Sequence, residues 1–369
     1  MSGTDLPQRD LPLPDLPQPR PHLRDLPAYV AGKPPAAPPG LTPYKLSSNE
    51  NPYPPLPGVL AAAEQAVAAM ERYPDMGSVG LYRALADRLG VVPEQLSAGT
   101  GSTAVLFQLL TAFCGPGDEV VMPWRSFEAY PIAITVAGAV PVPVPLTTEA
   151  RHDLPAMAAA ITDRTKVVLV CTPNNPTGPA VTMTELRDFL AAVPERVLVV
   201  VDEAYVEFVR SADPVDALAL VRERANVAVV RTFSKAYGLA GLRVGYLVST
   251  PAIAGAVRLV ALPFGVSAVA QAAAVASLEA SEALQERVAA IVAERDRLVA
   301  GLADRGWPVP EAQGNFCWIG RPERIAEIVS AAEERALSVR AFAGEGVRIT
   351  VGEPAANDRV LDLFAALRS

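Results

Sequence analysis

A chain of 369 residues exceeds the usual size of one domain and can bury a sizeable core, so a large domain with a smaller companion is the natural arrangement. Half of its residues are hydrophobic but only 6% are aromatic, which fits an α/β protein better than a disordered or fibrous one. A formal net charge of −8, with no basic stripe, argues against nucleic-acid binding and favours small-molecule chemistry.

The chain opens with "MSGTDLPQRDLPLPDLPQPRPHLRDLP", which repeats Asp-Leu-Pro and lacks the apolar run of a signal peptide or membrane span. Its prolines favour extended, unpaired backbone, so residues 1–24 are expected to be a flexible, solvated tail. Residues 25–60 are expected to pack beside the C-terminal part. "PGVLAAAEQAVAAMERY" and "STAVLFQLLTAFC" repeat apolar residues at three and four and predict amphipathic helices. Between later helical patterns come "DEVVMPW", "KVVLVCTP", "VLVVVDEAY", "NVAVVRTFS" and "RVGYLVST", runs apolar on both faces, as parallel strands between helix layers are. A long Ala-rich helical region follows, then "NFCWIG", another helix and "GVRITVG". The expected fold is α/β: a mostly parallel central sheet sandwiched by helices in a large domain at 61–270, and a smaller α+β domain at 271–369. No stretch is long and apolar enough to cross a bilayer. Cys114, Cys171 and Cys317 have neither disulfide nor zinc spacing and point to a reducing compartment, so a cytoplasmic location is expected. With only His22 and His152, neither a histidine-based triad nor a metal cluster is expected.

In open α/β sheets, ligands bind beyond the carboxyl ends of the strands. Asn175 follows "VVLV", Asp202 closes "VLVVV", and Ser234 and Lys235 follow "VAVV". A lysine held at a strand end and partly desolvated loses its proton readily and can form a Schiff base with a carbonyl. If that carbonyl belongs to pyridoxal 5′-phosphate, further groups are needed: a carboxylate facing the ring nitrogen, a phosphate cradle at a helix N-terminus, an aromatic cover and an arginine for a substrate carboxylate. Asp202 meets the first need; "GTGST" (99–103), leading into a helix, with Ser234 and Arg243 meets the second. Singly, each has a bland reading as helix cap, β-turn or surface lysine. Their joint occurrence at strand ends points to a site.

These segments, with "LPAYVAGKP", "KLSSNENPYPP", "RYPD", "CTPNNPTG", "RTFSKAYGLAGLRVGY" and "VRITVG", resemble the fold-type I, class I/II aminotransferases that use pyridoxal phosphate, specifically the histidinol-phosphate aminotransferase group. The resemblance runs from about Leu26 to the C-terminus. It implies that Lys235 is the Schiff-base lysine and proton shuttle, that Asp202 pairs with the ring nitrogen, and that Asn175 and Tyr205 hold the ring hydroxyl oxygen. It implies a cofactor phosphate site around Gly101, Ser102, Thr103, Ser234 and Arg243, with Tyr73 reaching in from a second subunit of a homodimer whose sites are shared. Phe127 would cover the ring and Arg348 clamp the α-carboxylate, while Tyr29, Asn175 and Arg340 would lie on the substrate side.

Two departures from the histidinol-phosphate pattern bear on the substrate. Thr103 and Ala104 stand where that pattern has acidic residues, and "WRSFEAYPI", with Trp124 and Arg125, and "QGNFCWI", with Asn315 and Trp318, are similar to an actinobacterial branch acting on aromatic amino acids. Arg340 suits either a substrate phosphate or a dicarboxylate. The expected activity is ping-pong transfer of the amino group of phenylalanine or tyrosine to 2-oxoglutarate. Histidinol-phosphate transamination is the nearest alternative, and decarboxylation on the same fold a more distant one. A scaffold without activity would have no need of a poised lysine opposite a strand-end carboxylate.

Overall fold

The valine-rich runs form the middle of a seven-stranded sheet in the computed structural model, which describes residues 17–24, 26–29, 31–35 and 38–367. In chain order, β1 (Tyr44–Lys45), α1 (Val59–Val67) and α2 (Val79–Leu89) lead into β2 (Leu96–Gly99), α3 (Ser102–Phe113), β3 (Glu119–Trp124), α4 (Ala129–Val136) and β4 (Val140–Pro145). Then come α5 (Leu154–Ala159), β5 (Thr165–Cys171), α6 (Met183–Ala192), β6 (Leu198–Asp202), α7 (Ala217–Glu223), β7 (Val227–Thr232) and β8 (Gly245–Val248). The sheet order is β2-β8-β7-β6-β5-β3-β4; β8 is antiparallel to both neighbours, and the remaining pairings are parallel.

Side chains alternate across each strand, so the unbroken apolar runs supply two cores at once. Val168, Val170, Val199, Val201 and Val229 pack to one side of the sheet, while Val167, Leu169, Leu198, Val200 and Val230 pack to the other. Each such side chain contributes roughly 1.5–3 kcal/mol on burial, which anchors the central strands firmly. Their register sets Cys171 beside Asp202 and Asp202 beside Val230, so the strand ends carrying polar residues lie side by side.

Helix starts are written locally. Thr182 and Glu185 form a capping box for α6, Asp153 and Asp216 cap α5 and α7, Thr250 with Pro251 starts α8 (Pro251–Leu259), and Ser267 caps α9 (Ala268–Glu279). The helix read across "PGVLAAAEQAVAAMERY" is shorter than its pattern: α1 ends at Val67, and beyond it Ala69, Met70 and Arg72 donate to the third residue back, tightening the chain into turns.

The remainder comprises α10 (Ser281–Ala303), β9 (Phe316–Ile319), α11 (Ile325–Glu334), β10 (Leu337–Ser338), β11 (Arg340–Phe342), β12 (Gly346–Thr350) and α12 (Pro354–Ala366). β12 lies antiparallel between β11 and β9, and β1 pairs in parallel with β10, which ties the segment before α1 to the C-terminal part. Residues 1–16 of the proline-rich tail lie outside the described residues; residues 17–24 are largely exposed, with a single 3-10 turn at Pro21–Leu23 near α4. Among the described residues, no helix is long and apolar enough to cross a membrane and no group of three metal-ligating side chains occurs.

Candidate active site

The ends of β5, β6 and β7 open onto a cavity of about 350 Å³, closed from the other side by β11, β12, Ala31, Gly32, Ser47, Ser48 and Glu50. Lys235, three residues past β7, lies on its wall and donates from Nζ to the backbone oxygen of Ser48 at 3.1 Å. Its Nζ stands 5.7 Å from the Tyr205 ring. Burial, reinforced by the charge of Arg348, pushes the Lys235 amine down to about 7, so a neutral fraction exists at neutral pH. Asn51 braces the turn, donating from Nδ2 to the carbonyls of Lys235 (3.2 Å) and Ala236 (2.9 Å).

Asp202 ends β6 in the same cavity. Its Oδ2 accepts from the Tyr130 hydroxyl at 2.8 Å; among the described residues its Oδ1 is buried with no partner in good geometry. Burial raises the carboxyl to about 6 against the pull of Tyr130 and the nearby Ala204 amide. Three residues on, the Tyr205 hydroxyl accepts from Asn49 Nδ2 at 3.0 Å. Asn49 is itself held by Thr350 through its N–H (2.9 Å) and Oδ1 (3.1 Å), and its carbonyl accepts from Asn315 (3.2 Å). Burial pushes the Tyr205 phenol above its usual range.

At the N-terminus of α3, Gly101 takes a left-handed φ of 83° and Ser102 and Thr103 line the cavity. A Cβ at Gly101 would run into the Arg243 guanidinium, and one at Gly245 would strike the backbone N of Ser102, so both positions need glycine. Arg243 donates from Nη1 to Ser234 Oγ at 3.2 Å. Free helix N–H groups, the hydroxyls of Ser102, Thr103 and Ser234 and a guanidinium make an anion site.

On the opposite wall, Arg348 donates to Asn175 Oδ1 at 2.5 Å and to the Ser47 carbonyl at 2.7 Å, leaving its Nε buried without a partner. Tyr29, Phe127 and Phe342 give the cavity an aromatic side, with Phe127 edge-on to Tyr130 at 5.6 Å. Arg340 is there too, gripped by Glu128.

The fold thus gathers Tyr29, Ser102, Thr103, Phe127, Asn175, Asp202, Tyr205, Ser234, Lys235, Arg243, Arg340 and Arg348 around one cavity, with Gly101 at its border. Tyr73 stands apart, 82% exposed and stacked on Phe264 at 4.8 Å. Trp124 and Trp318 do not line the cavity: Trp124 stacks under Arg125, and Trp318 backs Phe342 at 5.4 Å. Cys171 does line it, but burial pushes its thiol up to about 12, which makes it a poor nucleophile. His152 is in a separate small recess, pushed down to about 4 by burial. Sequence reasoning missed Tyr130, Asn49, Asn51, Ser48 and Glu128. "SSNEN" and "SFEAY", polar residues crowded next to apolar ones, were the available signals.

The model of the aminotransferase class I and II family matches residues 42–364. The chain is 55% identical over 352 residues to the aromatic amino acid aminotransferase of Streptomyces avermitilis, covering 95% of this chain and 98% of that protein. It is 52% identical over 339 residues to the aromatic amino acid aminotransferase of Thermobifida fusca, covering 92% and 94%. Among solved structures it is similar to the histidinol-phosphate aminotransferase of Sinorhizobium meliloti in complex with pyridoxal-5′-phosphate, at 29% identity and a TM-score of 0.80 over 87% of this chain and 89% of that one. A Thermus thermophilus aspartate aminotransferase mutant shares the fold, at 24% identity and a TM-score of 0.78 over 88% and 97%.

Proposed function

The chain belongs to the class I and II aminotransferases, and we propose that it holds pyridoxal 5′-phosphate and moves the amino group of phenylalanine or tyrosine to 2-oxoglutarate in two half-reactions. The observation that carries this reading is the buried, unpartnered Oδ1 of Asp202 in the same cavity as a lysine pushed down to about 7. A carboxylate so placed calls for a cationic N–H donor, which a protonated pyridine nitrogen supplies. The anion site at the N-terminus of α3, bordered by Gly101, with Ser234 and Arg243, fits a phosphate monoester. The residues present therefore fit the cofactor.

When bound, the cofactor supplies an aldehyde for imine chemistry and a ring that accepts electrons from a carbanion. The chain's own groups do the rest. Asp202, positioned by Tyr130, would hold a proton on the ring nitrogen. Tyr205 and Asn175 would hold the cofactor's ring oxygen, and Phe127 would pack against its ring. Arg348, already fixed by Asn175 and Ser47, receives the α-carboxylate of the amino acid. Lys235, partly neutral near pH 7, would take the α-proton of the amino acid as general base and hold it on Nζ for return.

Support for an aromatic donor comes from the relatives named above and from the ring-lined wall of Tyr29, Phe127 and Phe342. The presence of Arg340 in the same cavity favours the second reading, a histidinol-phosphate donor, and comparison of the two donors in a single half-reaction tests the choice. A homodimer with shared sites is supported by Tyr73 and Phe264, a stacked and exposed pair, with exposed Met76 and Leu262 sharing a surface recess with Phe264. We assign residues 61–270 as the cofactor-binding domain and 271–369 as the smaller one, with 25–60 attached to it as the pairing of β1 and β10 supports. Unpaired Cys114, Cys171 and Cys317 fit a reducing, cytoplasmic setting.

A further inference from the structure

Arg340 and Arg348 are register partners on the antiparallel strands β11 and β12, so two guanidinium side chains share one face of the small sheet. They are treated differently. Among the described residues, Arg348 meets only neutral acceptors, Asn175 and Ser47. Arg340, 9% exposed, is gripped by both oxygens of Glu128, from Nη2 to Oε1 at 3.0 Å and to Oε2 at 2.8 Å, and donates from Nη1 to the Ala31 carbonyl at 3.2 Å. Glu128 lines the cavity beside Phe127, just before α4. A second pair of opposite polarity, Arg125 with Glu345 (Nε to Oε2 2.6 Å), joins the same segment to the β11–β12 turn but stands outside the cavity lining. It fixes the segment that carries Glu128.

Resting on the aminotransferase reading above, we propose that Glu128 determines which substrate side chain is accepted, by occupying the guanidinium of Arg340. With that charge offset, an uncharged ring can lie against Phe127 and Phe342 without leaving a bare cation beside it. A side chain ending in a phosphate or carboxylate must displace Glu128 to reach Arg340, and until it does, its negative charge faces another carboxylate. Discrimination therefore rests on a repulsive element as much as on aromatic contact. The same element raises the KM for a dicarboxylate acceptor.

The test uses the cofactor-loaded protein as wild type, Glu128→Gln, Glu128→Asp and the double variant Glu128→Gln/Arg340→Gln. Two quantities are read: the ratio of kcat/KM for histidinol phosphate to that for phenylalanine, and the inhibition constant of inorganic phosphate. Glu128→Gln should raise the ratio on the order of tenfold, chiefly through KM, and strengthen phosphate inhibition on the order of tenfold. Glu128→Asp, too short for the two-oxygen grip, should give a gain of roughly threefold. The double variant should lose the gain, which assigns the anion to Arg340. If both single variants stay within about twofold of wild type, Glu128 is a structural counter-ion and the proposal is overturned; should Glu128→Gln not fold, Glu128→Asp alone decides in the same way. Failure of wild type to turn over phenylalanine would instead overturn the substrate reading, and phosphate inhibition would then decide the role of Glu128 on its own.

Discussion

Lys235 reaches across 187 residues of sequence to donate its Nζ to the carbonyl of Ser48, so the segment before α1 closes the cavity over the lysine that the sheet presents. That closure desolvates the amine and pushes it down to about 7. Only the neutral amine attacks an aldehyde. In cofactor-free protein, the rate of reaction with pyridoxal, followed by absorbance, should rise with pH to a plateau with a midpoint near 7; a midpoint above 9 would contradict the burial account. Lys235→Ala should remove the visible absorbance of covalently held cofactor and lower turnover by roughly 10³-fold or more, with the far-ultraviolet circular dichroism unchanged.

Asp202 carries a folded-state pKa of about 6 against an ordinary 3.8. A raised acid holds its proton in the folded state between those values, so its destabilising effect is absent below about pH 4 and fully present above pH 6, at roughly 3 kcal/mol. Asp202→Asn should therefore raise the melting temperature of the cofactor-free protein by a few degrees at pH 8, with the gap narrowing as pH falls from 6 to 5, while cutting activity at least 100-fold, by roughly the range of a general acid–base contribution. A melting difference that does not narrow with falling pH would argue against a strained, unpartnered carboxyl.

Asn49 joins the Tyr205 hydroxyl to Thr350 and Asn315 in a buried network. Asn49→Ala leaves those groups unpaired, at a cost of about 1–3 kcal/mol, and frees the Tyr205 phenol. Turnover should fall roughly tenfold, as a misplaced orienting group implies, and cofactor absorbance should shift. An unchanged absorbance spectrum would separate the network from the site.

Tyr73 does not line the cavity of its own chain, so the role proposed for it needs a second copy of the chain. Wild type should sediment as a dimer, and Tyr73→Asp, which plants a charge in the exposed patch with Phe264, should weaken dimerisation at least tenfold, as roughly 2 kcal/mol at a buried aromatic contact implies. A monomeric wild type with full activity would contradict the shared site.

The architecture was readable in the sequence because burial on both faces writes itself as unbroken runs such as "VVLVC" and "VLVVV", and because strand ends put Asn175, Asp202 and Lys235 at one rim. The anion cradle was readable because Gly101 and Gly245 answer to local geometry. Contacts formed by docking one segment on another were not. Tyr130 meets Asp202 across 72 residues, Asn49 meets Tyr205 across 156, and Glu128 meets Arg340 across 212, and no periodicity or spacing records such pairs. The pairing of Arg340 in particular changes its meaning, from a cation open to a phosphate or a dicarboxylate to one already paired with Glu128.

The donor half-reaction puts the proposed function to the test: cofactor-loaded protein is mixed separately with phenylalanine, tyrosine and histidinol phosphate, and the decay of the visible cofactor band is followed in a stopped-flow instrument. Rapid decay with phenylalanine and tyrosine, and a response to histidinol phosphate weaker by on the order of tenfold or more, is the predicted result. Faster decay with histidinol phosphate than with phenylalanine would contradict it and assign Arg340 to the substrate phosphate.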